Sequence, residues 1–132
     1  MADTVDVQVL ANTQTRYSVR LTNVSDATGE AAVIKVDKSG LTGPVPGVEP
    51  GCLALEEIRW AIQGFTSVRL LWDHTTDDEI MVLSGNGYED FRPVGGLKDP
   101  ETTGGTGDVL LTTAGAASGA TYDIVAHFRK KQ

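Results

Sequence analysis

The sequence predicts an all-β fold, a single-domain antiparallel β-sandwich or open barrel, jelly-roll-like, with about eight strands. Two observations predict it. Apolar side chains alternate with polar ones in most segments, which is the period of a half-buried strand. Glycine, proline and aspartate interrupt these segments at short intervals, as turns between strands require. At 132 residues, the chain has the usual size of one domain, so residues 1–132 are predicted to form a single β domain.

The first predicted strand lies at the N-terminus. Val5, Val7 and Val9 alternate with Asp6 and Gln8, and a second strand with the same pattern follows over residues 17–22. Residues 1–15 are also a candidate N-terminal arm, because an exposed strand can pair with the sheet edge of a neighbouring molecule. The three valines are therefore candidate partner contacts.

A long loop follows the third predicted strand, "AAVIKVD". The segment "SGLTGPVPGVEPG", residues 39–51, contains four glycines and three prolines, and proline cannot donate a hydrogen bond to a sheet ladder. Structureless loops of this length in small domains are usually functional. We therefore predict a partner-contact loop over residues 39–51, with Pro44, Pro46 and Pro50 as candidate contacts.

The clearest strand signal lies in the centre of the chain. One strand is expected to place three apolar residues on one face, and the next strand does the same: Ile58, Trp60 and Ile62, then Val68, Leu70 and Trp72. A hairpin with its turn across residues 63–67 would place Trp60 opposite Leu70 and Ile62 opposite Val68. All six side chains are predicted to form one buried cluster, with both tryptophans in the core.

Further strands are predicted over residues 80–83 and 108–112. The last strand carries alternating apolar residues on one face, namely Tyr122, Ile124, Ala126 and Phe128.

Composition argues against several partners. With 11 basic and 18 acidic residues, the net charge of −7 repels a nucleic-acid backbone. No apolar run approaches the roughly 18 residues needed to span a bilayer, and no secretory signal is visible. We predict neither a nucleic-acid nor a membrane partner, and we expect synthesis in a cytoplasm.

The C-terminus holds the only basic cluster, Arg129, Lys130 and Lys131, which is interpreted as a solvated tail, with a docking role as the alternative. Cys52 is the single cysteine, so it cannot form an intrachain disulfide. It is interpreted as a small core or loop residue and not as a nucleophile.

Two glycine-rich segments, "SGNGYEDF" and "GGTGDVLLTT", invite comparison with phosphate-binding loops. Neither is followed by the lysine and hydroxyl residue that such a loop requires, and strand patterns surround both. Their glycines are interpreted as residues of turns and bulges, with Gly104, Gly105 and Gly107 shaping the entry into a strand. No cofactor is predicted.

The acidic segment "DHTTDDE", residues 73–79, contains oxygen ligands of the kind that bind a hard cation. Its spacing does not fit a calcium-binding EF-hand loop, and we predict an exposed turn and no metal. The two histidines, His74 and His127, are the only imidazole bases available for a hydrolase. Both are interpreted as solvated side chains, and no catalytic residues are predicted. The chain is therefore not expected to be an enzyme.

Four segments together resemble small structural proteins of tailed bacteriophages: "RWAIQGFTSVRLLWD", "LSGNGYEDFRPVGGLKDP", "GGTGDVLLTT" and "YDIVAHFRKK". The resemblance covers about residues 58–131 and is strongest to capsid decoration, or cement, proteins. It implies a β-rich domain that binds the outside of the assembled capsid and stabilises it, with the major capsid protein as partner and a homotrimer as the oligomer. It implies a location on the virion and carries over no catalytic residues.

Two alternatives remain open. The chain could be another virion component, in the tail, the collar or a fibre attachment, or a β-sandwich binding module for a carbohydrate or a host protein.

Overall fold

The computed structural model describes residues 4–27, 29–45, 50, 52–74, 77–98 and 105–131. Within them lie nine strands and two single-turn 3-10 helices, Lys38–Gly40 and Arg92–Val94. The strands are β1 Thr4–Asn12, β2 Arg16–Asp26, β3 Val33–Val36, β4 Cys52–Gln63, β5 Ser67–His74, β6 Asp78–Leu83, β7 Asn86–Asp90, β8 Gly105–Ala114 and β9 Ser118–Lys131. The predicted all-β class is confirmed.

The strands form two antiparallel sheets, in the orders β1-β2-β9-β4-β7 and β3-β8-β5-β6. The pairing is nested, because β2 pairs with β9, β3 with β8, β4 with β7 and β5 with β6. A chain folded over on itself in this way is a jelly roll of eight strands in two sheets. The sheets are open and do not close into a barrel, and β1 is added at the edge of the larger one.

The core lies between the two sheets, and β9 provides its centre. Tyr122, Ile124, Ala126 and Phe128 are each at most 2% exposed, so the predicted inward face of the last strand is confirmed. β9 has a neighbour on each side, β2 and β4, and its inward positions are buried from Ala120 to Lys130.

The predicted hairpin between β4 and β5 is wrong, because these two strands lie in different sheets. Trp60 is opposite Ile124 and Gly87, and Leu70 is opposite Met81 and Leu111. The two apolar faces meet across the core, a placement that gives the same period-2 pattern as a hairpin.

The crossing between the sheets occurs at Gly64. Its φ is +88°, and a Cβ there would lie 2.8 Å from the Cβ of Ala120. Glycine fits this position because it tolerates both the left-handed backbone and the close approach of β9.

The two tryptophans differ in burial. Trp72 is 2% exposed and belongs to the core with Ile58, Ile62, Val68 and Leu70. Trp60 is half-buried at the margin of that core, and its Nε1 donates to the carbonyl of Ser84 at 3.0 Å. The predicted cluster is therefore confirmed for five of its six side chains, and Trp60 instead packs beside the edge strand β7.

Candidate partner-contact end of the sandwich

The predicted contact segments lie in two places along the chain. Val5, Val7 and Val9 lie on β1, which pairs with β2 as an edge strand of the five-stranded sheet. Their side chains are 39%, 41% and 51% exposed. In the predicted loop, Pro44 is exposed and Pro50 is buried, while Pro46 lies outside the described residues.

Lys130 links the end of β1 to the beginning of the loop, although its ammonium group contacts none of the described candidate residues Val5, Val7, Val9, Pro44 and Pro50. It follows Phe128 on the inward face of β9 and is 3% exposed. Its ammonium group donates to the Asn12 side-chain oxygen at 2.6 Å, at the end of β1, and to the main-chain oxygens of Thr13 and Thr42 at 2.5 Å and 2.8 Å. One side chain thus ties the β1–β2 turn to the beginning of the long loop. Burial lowers the pKa of this ammonium group.

A second lysine holds the other end of the loop. The Lys38 side chain donates to the carbonyl of Pro50 at 2.9 Å. Its own main-chain N–H donates to the Asp108 carboxylate at 2.8 Å, and both residues are buried. Asp108 lies on β8, so this contact joins the base of the loop to β8. Gly105 and Gly107, predicted to shape the entry into this strand, lie within it, and Gly104 is outside the described residues.

The tied segments surround a shallow depression of about 320 Å³. Its lining residues are Asn12, Thr13, Gln14, Gly40, Thr42 and Lys130. Because hydrogen bonds hold the loop near both of its ends, binding a partner there costs less ordering entropy than binding through a free loop.

Sequence reasoning missed Lys38, Asp108 and Lys130. The interpretation of the C-terminal basic cluster as a solvated tail is wrong for Lys130, and Arg129 is also paired, with Glu56. The signal was available, because Lys130 continues the two-residue spacing of the inward positions of β9. A lysine at an inward position at the end of a strand can reach main-chain oxygens of the adjoining turns.

The outer face of the five-stranded sheet carries paired charges. Glu56 is buried to 6% exposure and accepts from Arg16 at 2.7 Å and from Arg129 at 3.0 Å. Burial raises the pKa of the Glu56 carboxyl, but the two guanidinium groups outweigh it, and the pKa lies below its ordinary value. Arg20 and Asp123 form a further pair, which lowers the pKa of Asp123. The pairs Arg129–Glu56 and Arg20–Asp123 join neighbouring strands, and the pair Arg16–Glu56 connects β2 with β4 across β9.

His127 lies on this polar face, as predicted, but it is not freely solvated. It is half-buried, and its Nδ1 lies 2.8 Å from the hydroxyl of Ser18, a side chain on β2. Within the described residues no carboxylate hydrogen-bonds the imidazole, so this contact lacks the orienting acid of a hydrolase triad. A shallow depression of about 310 Å³ beside His127 is lined also by Glu57, Arg59 and Tyr88.

The acidic turn joins β5 and β6. Its residues 75 and 76 lie outside the described part of the chain, and Glu79 forms an ion pair with Arg69 across the two strands. Among the described residues, no group of three or more histidine, cysteine, aspartate or glutamate side chains could hold a metal ion. In the same residues, no helix has the length and apolar character needed to cross a membrane.

Comparison of the chain with protein-family models, with curated proteins and with solved structures gave no match.

Proposed function

We propose that this chain is a structural protein of a tailed-bacteriophage particle, a decoration protein that binds the outside of the assembled capsid through the major capsid protein. The four segments that resemble such proteins motivate the proposal. The observation that carries a docking role is the contact of Lys130 with both Asn12 and Thr42. It places the β1–β2 turn and the Pro/Gly-rich loop at one end of the domain.

The fold is compatible with this role. Jelly rolls serve in viral capsid domains and also in lectins, so the fold alone does not choose between a virion protein and a carbohydrate-binding module. A decoration protein needs a rigid body and a contact surface whose shape is fixed before docking. Buried ties at Lys38 and Lys130 provide the second requirement.

Several linked copies bind a particle more tightly than one copy does. A small domain offers little area per copy, and linking several copies raises the effective concentration of each further contact once the first has formed. The trimer that the resemblance implies is one such assembly.

Co-sedimentation with capsids that lack the protein tests the proposal. We expect the wild type to sediment with the particles and to appear in cryo-electron microscopy as many copies on the head lattice. Replacing residues 43–50 by a glycine-serine linker of equal length should abolish co-sedimentation while the circular dichroism spectrum stays that of a β protein.

Ala117→Glu is the matched control. Ala117 precedes β9, whereas Lys130 lies near its end, so the two positions lie at opposite ends of the sandwich. This variant should bind capsids like the wild type. A few copies at one vertex would instead support a tail, collar or fibre component. Absence from particles together with retention on a glycan array would support the carbohydrate-binding alternative.

A further inference from the structure

β1 is the least protected of the four strands that border the two sheets. It has nine residues, against four in β3, six in β6 and five in β7. The other three edges carry charged side chains that discourage pairing with a second chain: Lys35 in β3, and two neighbouring acidic residues in each of β6 and β7. A bulge interrupts β3 at Lys35 and β1 at Leu10, and the bulge in β1 lies beyond residues 5–9. β1 has one charge, Asp6, and no proline.

The inward side of β1 is also uncovered. In the register with β2, Val7 is opposite Leu21 and Val9 is opposite Val19, so the valines share the face of buried core residues. They nevertheless remain 41% and 51% exposed, because the second sheet is one strand narrower than the first. A further strand beside β1 would cover both its free edge and part of this apolar row.

We infer that β1 pairs with β1 of a second copy of this chain, antiparallel about a twofold axis at Val7. Such a contact is self-complementary, because the same strand serves on both sides. The two five-stranded sheets then join into one continuous sheet. The inference does not rest on the proposed function.

The side-chain pattern selects this register. With the axis at Val7, Val5 lies opposite Val9 of the second copy, and Asp6 lies opposite Gln8. Each valine therefore meets a valine, and the only charge meets a neutral hydrogen-bonding side chain. An axis at Asp6 would bring two carboxylates together, which is unfavourable for directly opposed residues.

β1 of a second copy has the side chains that a strand pairing with this edge needs. The incoming strand needs small β-branched residues on the inward face and no negative charge opposite Asp6. β1 itself has both properties. A twofold contact closes at two copies, so we expect a dimer in solution and not the trimer that the resemblance implies.

Sedimentation velocity over a wide range of protein concentration tests the inference. The wild type should change from monomer to dimer as concentration rises. Val7→Lys places two ammonium groups at the axis and should abolish the dimer over that range. Val82→Lys is the control, since Val82 is an exposed valine, 55% accessible, on the edge strand β6. It should dimerise like the wild type.

Gln8 variants test the register without changing an apolar side chain. Gln8→Lys should tighten the dimer by about 2- to 30-fold, because it creates an opposite-charge pair with Asp6 of the second copy on each side of the axis. Gln8→Asp should weaken it by a similar factor. Within one chain the neighbour of Gln8 on β2 is Arg20, so the effects on monomer stability run in the opposite direction.

Because each Gln8 variant changes dimer affinity and monomer stability in opposite directions, an effect on association can be distinguished from an effect on folding. A dimerisation constant that follows monomer stability would overturn the register, and so would a dimer that both Gln8 variants leave unchanged. A wild type that stays monomeric at every concentration, or that forms a trimer, would overturn the contact itself.

Discussion

The two edges of the five-stranded sheet differ in how they are held. β7, residues Asn86–Asp90, is fixed to β4 by side chains: the Trp60 indole lies over Gly87, and the Tyr88 hydroxyl donates to Glu57 at 2.6 Å. Along β1, within the described residues, no side chain between residues 5 and 11 forms a hydrogen bond or ion pair. The pairing of β1 therefore depends on its main chain, on partial packing of its valines and on the anchor at Asn12.

This difference shows that one sheet can have a closed edge and an open one. Charged and aromatic side chains at β7 favour its pairing with β4 and disfavour an additional strand. The apolar, weakly charged β1 has no such protection. An unprotected edge of this kind is suited to contact with another chain, because its exposed backbone N–H and C=O groups can hydrogen-bond to an added strand.

The first prediction compares two valines that are opposite each other across β1 and β2. Val19 is 0% exposed and Val9 is 51% exposed. Val19→Ala removes two buried methyl groups and leaves a cavity, so we expect a loss of about 2–3 kcal/mol in the free energy of unfolding. Val9→Ala should cost less than about 1 kcal/mol. Urea denaturation at high and low protein concentration measures both and reveals any contribution from association.

If Val9→Ala costs as much as Val19→Ala at low concentration, the inward face of β1 is packed within the monomer, and the description of an open edge is wrong.

The second prediction concerns the anchor of β1. Lys130→Met removes the donor to Asn12, Thr13 and Thr42. We expect a loss of about 1–3 kcal/mol in stability, because hydrogen bonds from a charged donor are lost and only part of that loss is offset by the recovered desolvation energy. Amide hydrogen exchange should become faster in residues 12–15 and 41–45 and stay unchanged in β7.

Lys131→Met is the control for this change. Lys131 is on the outward side of β9, and its ammonium group lies 3.4 Å from the carbonyl of Gly95, which is a weak contact. Its replacement should change stability by less than about 0.5 kcal/mol. Equal exchange rates in the wild type and in Lys130→Met would contradict the role of Lys130 as a tie.

The third prediction tests the closed edge. A Cβ at Gly87 would lie 2.3 Å from Cζ2 of Trp60, so Gly87→Ala forces the indole or β7 to move. We expect a cost of about 1–2 kcal/mol, in the lower part of the range for overpacking because an edge strand can shift. Trp60 fluorescence should move to longer wavelength, measured in a Trp72→Phe background.

Gly40→Ala is the control for this substitution. Nothing lies within 4 Å of a Cβ at Gly40, so no neighbouring side chain has to move. An unchanged emission spectrum in Gly87→Ala would show that the indole does not cover β7.

Alternation along the chain predicted most of the strands and most of their inward faces. It did not predict β7, because Asn86–Asp90 lies in a glycine-containing segment that was interpreted as turns and bulges. It could not predict which strands are neighbours, because the same face pattern results whether β4 and β5 pair in a hairpin or oppose each other across the core. The choice is made by long-range pairing of β4 with β9 and β7, for which one sequence carries no local signal.

The candidate site was predicted in part. The composition of the Pro/Gly-rich loop identified the segment, but its tie to β1 depends on Lys130, whose charge suggested a solvated position. A buried ammonium group is stable there because three oxygens from two separate segments converge on it. Such convergence is a property of the folded chain and is not visible in the sequence around Lys130.

The last prediction measures the charge pairing that borders the closed edge. The Arg92 guanidinium and its main-chain N–H donate to Asp90 and lower the pKa of that carboxyl from 3.8 to about 2. A carboxyl whose pKa is lowered by folding stabilises the protein above its unfolded-state pKa and loses that contribution as the pH falls through the folded value. In Arg92→Gln the NMR titration midpoint of Asp90 should rise toward 3.8, and the stability difference from wild type should shrink between pH 5 and pH 2. Asp123, which is paired with Arg20 on the far side of the sheet, is the internal control, and its midpoint should not move. A wild-type Asp90 that titrates at its ordinary value would show that this ion pair does not persist in solution.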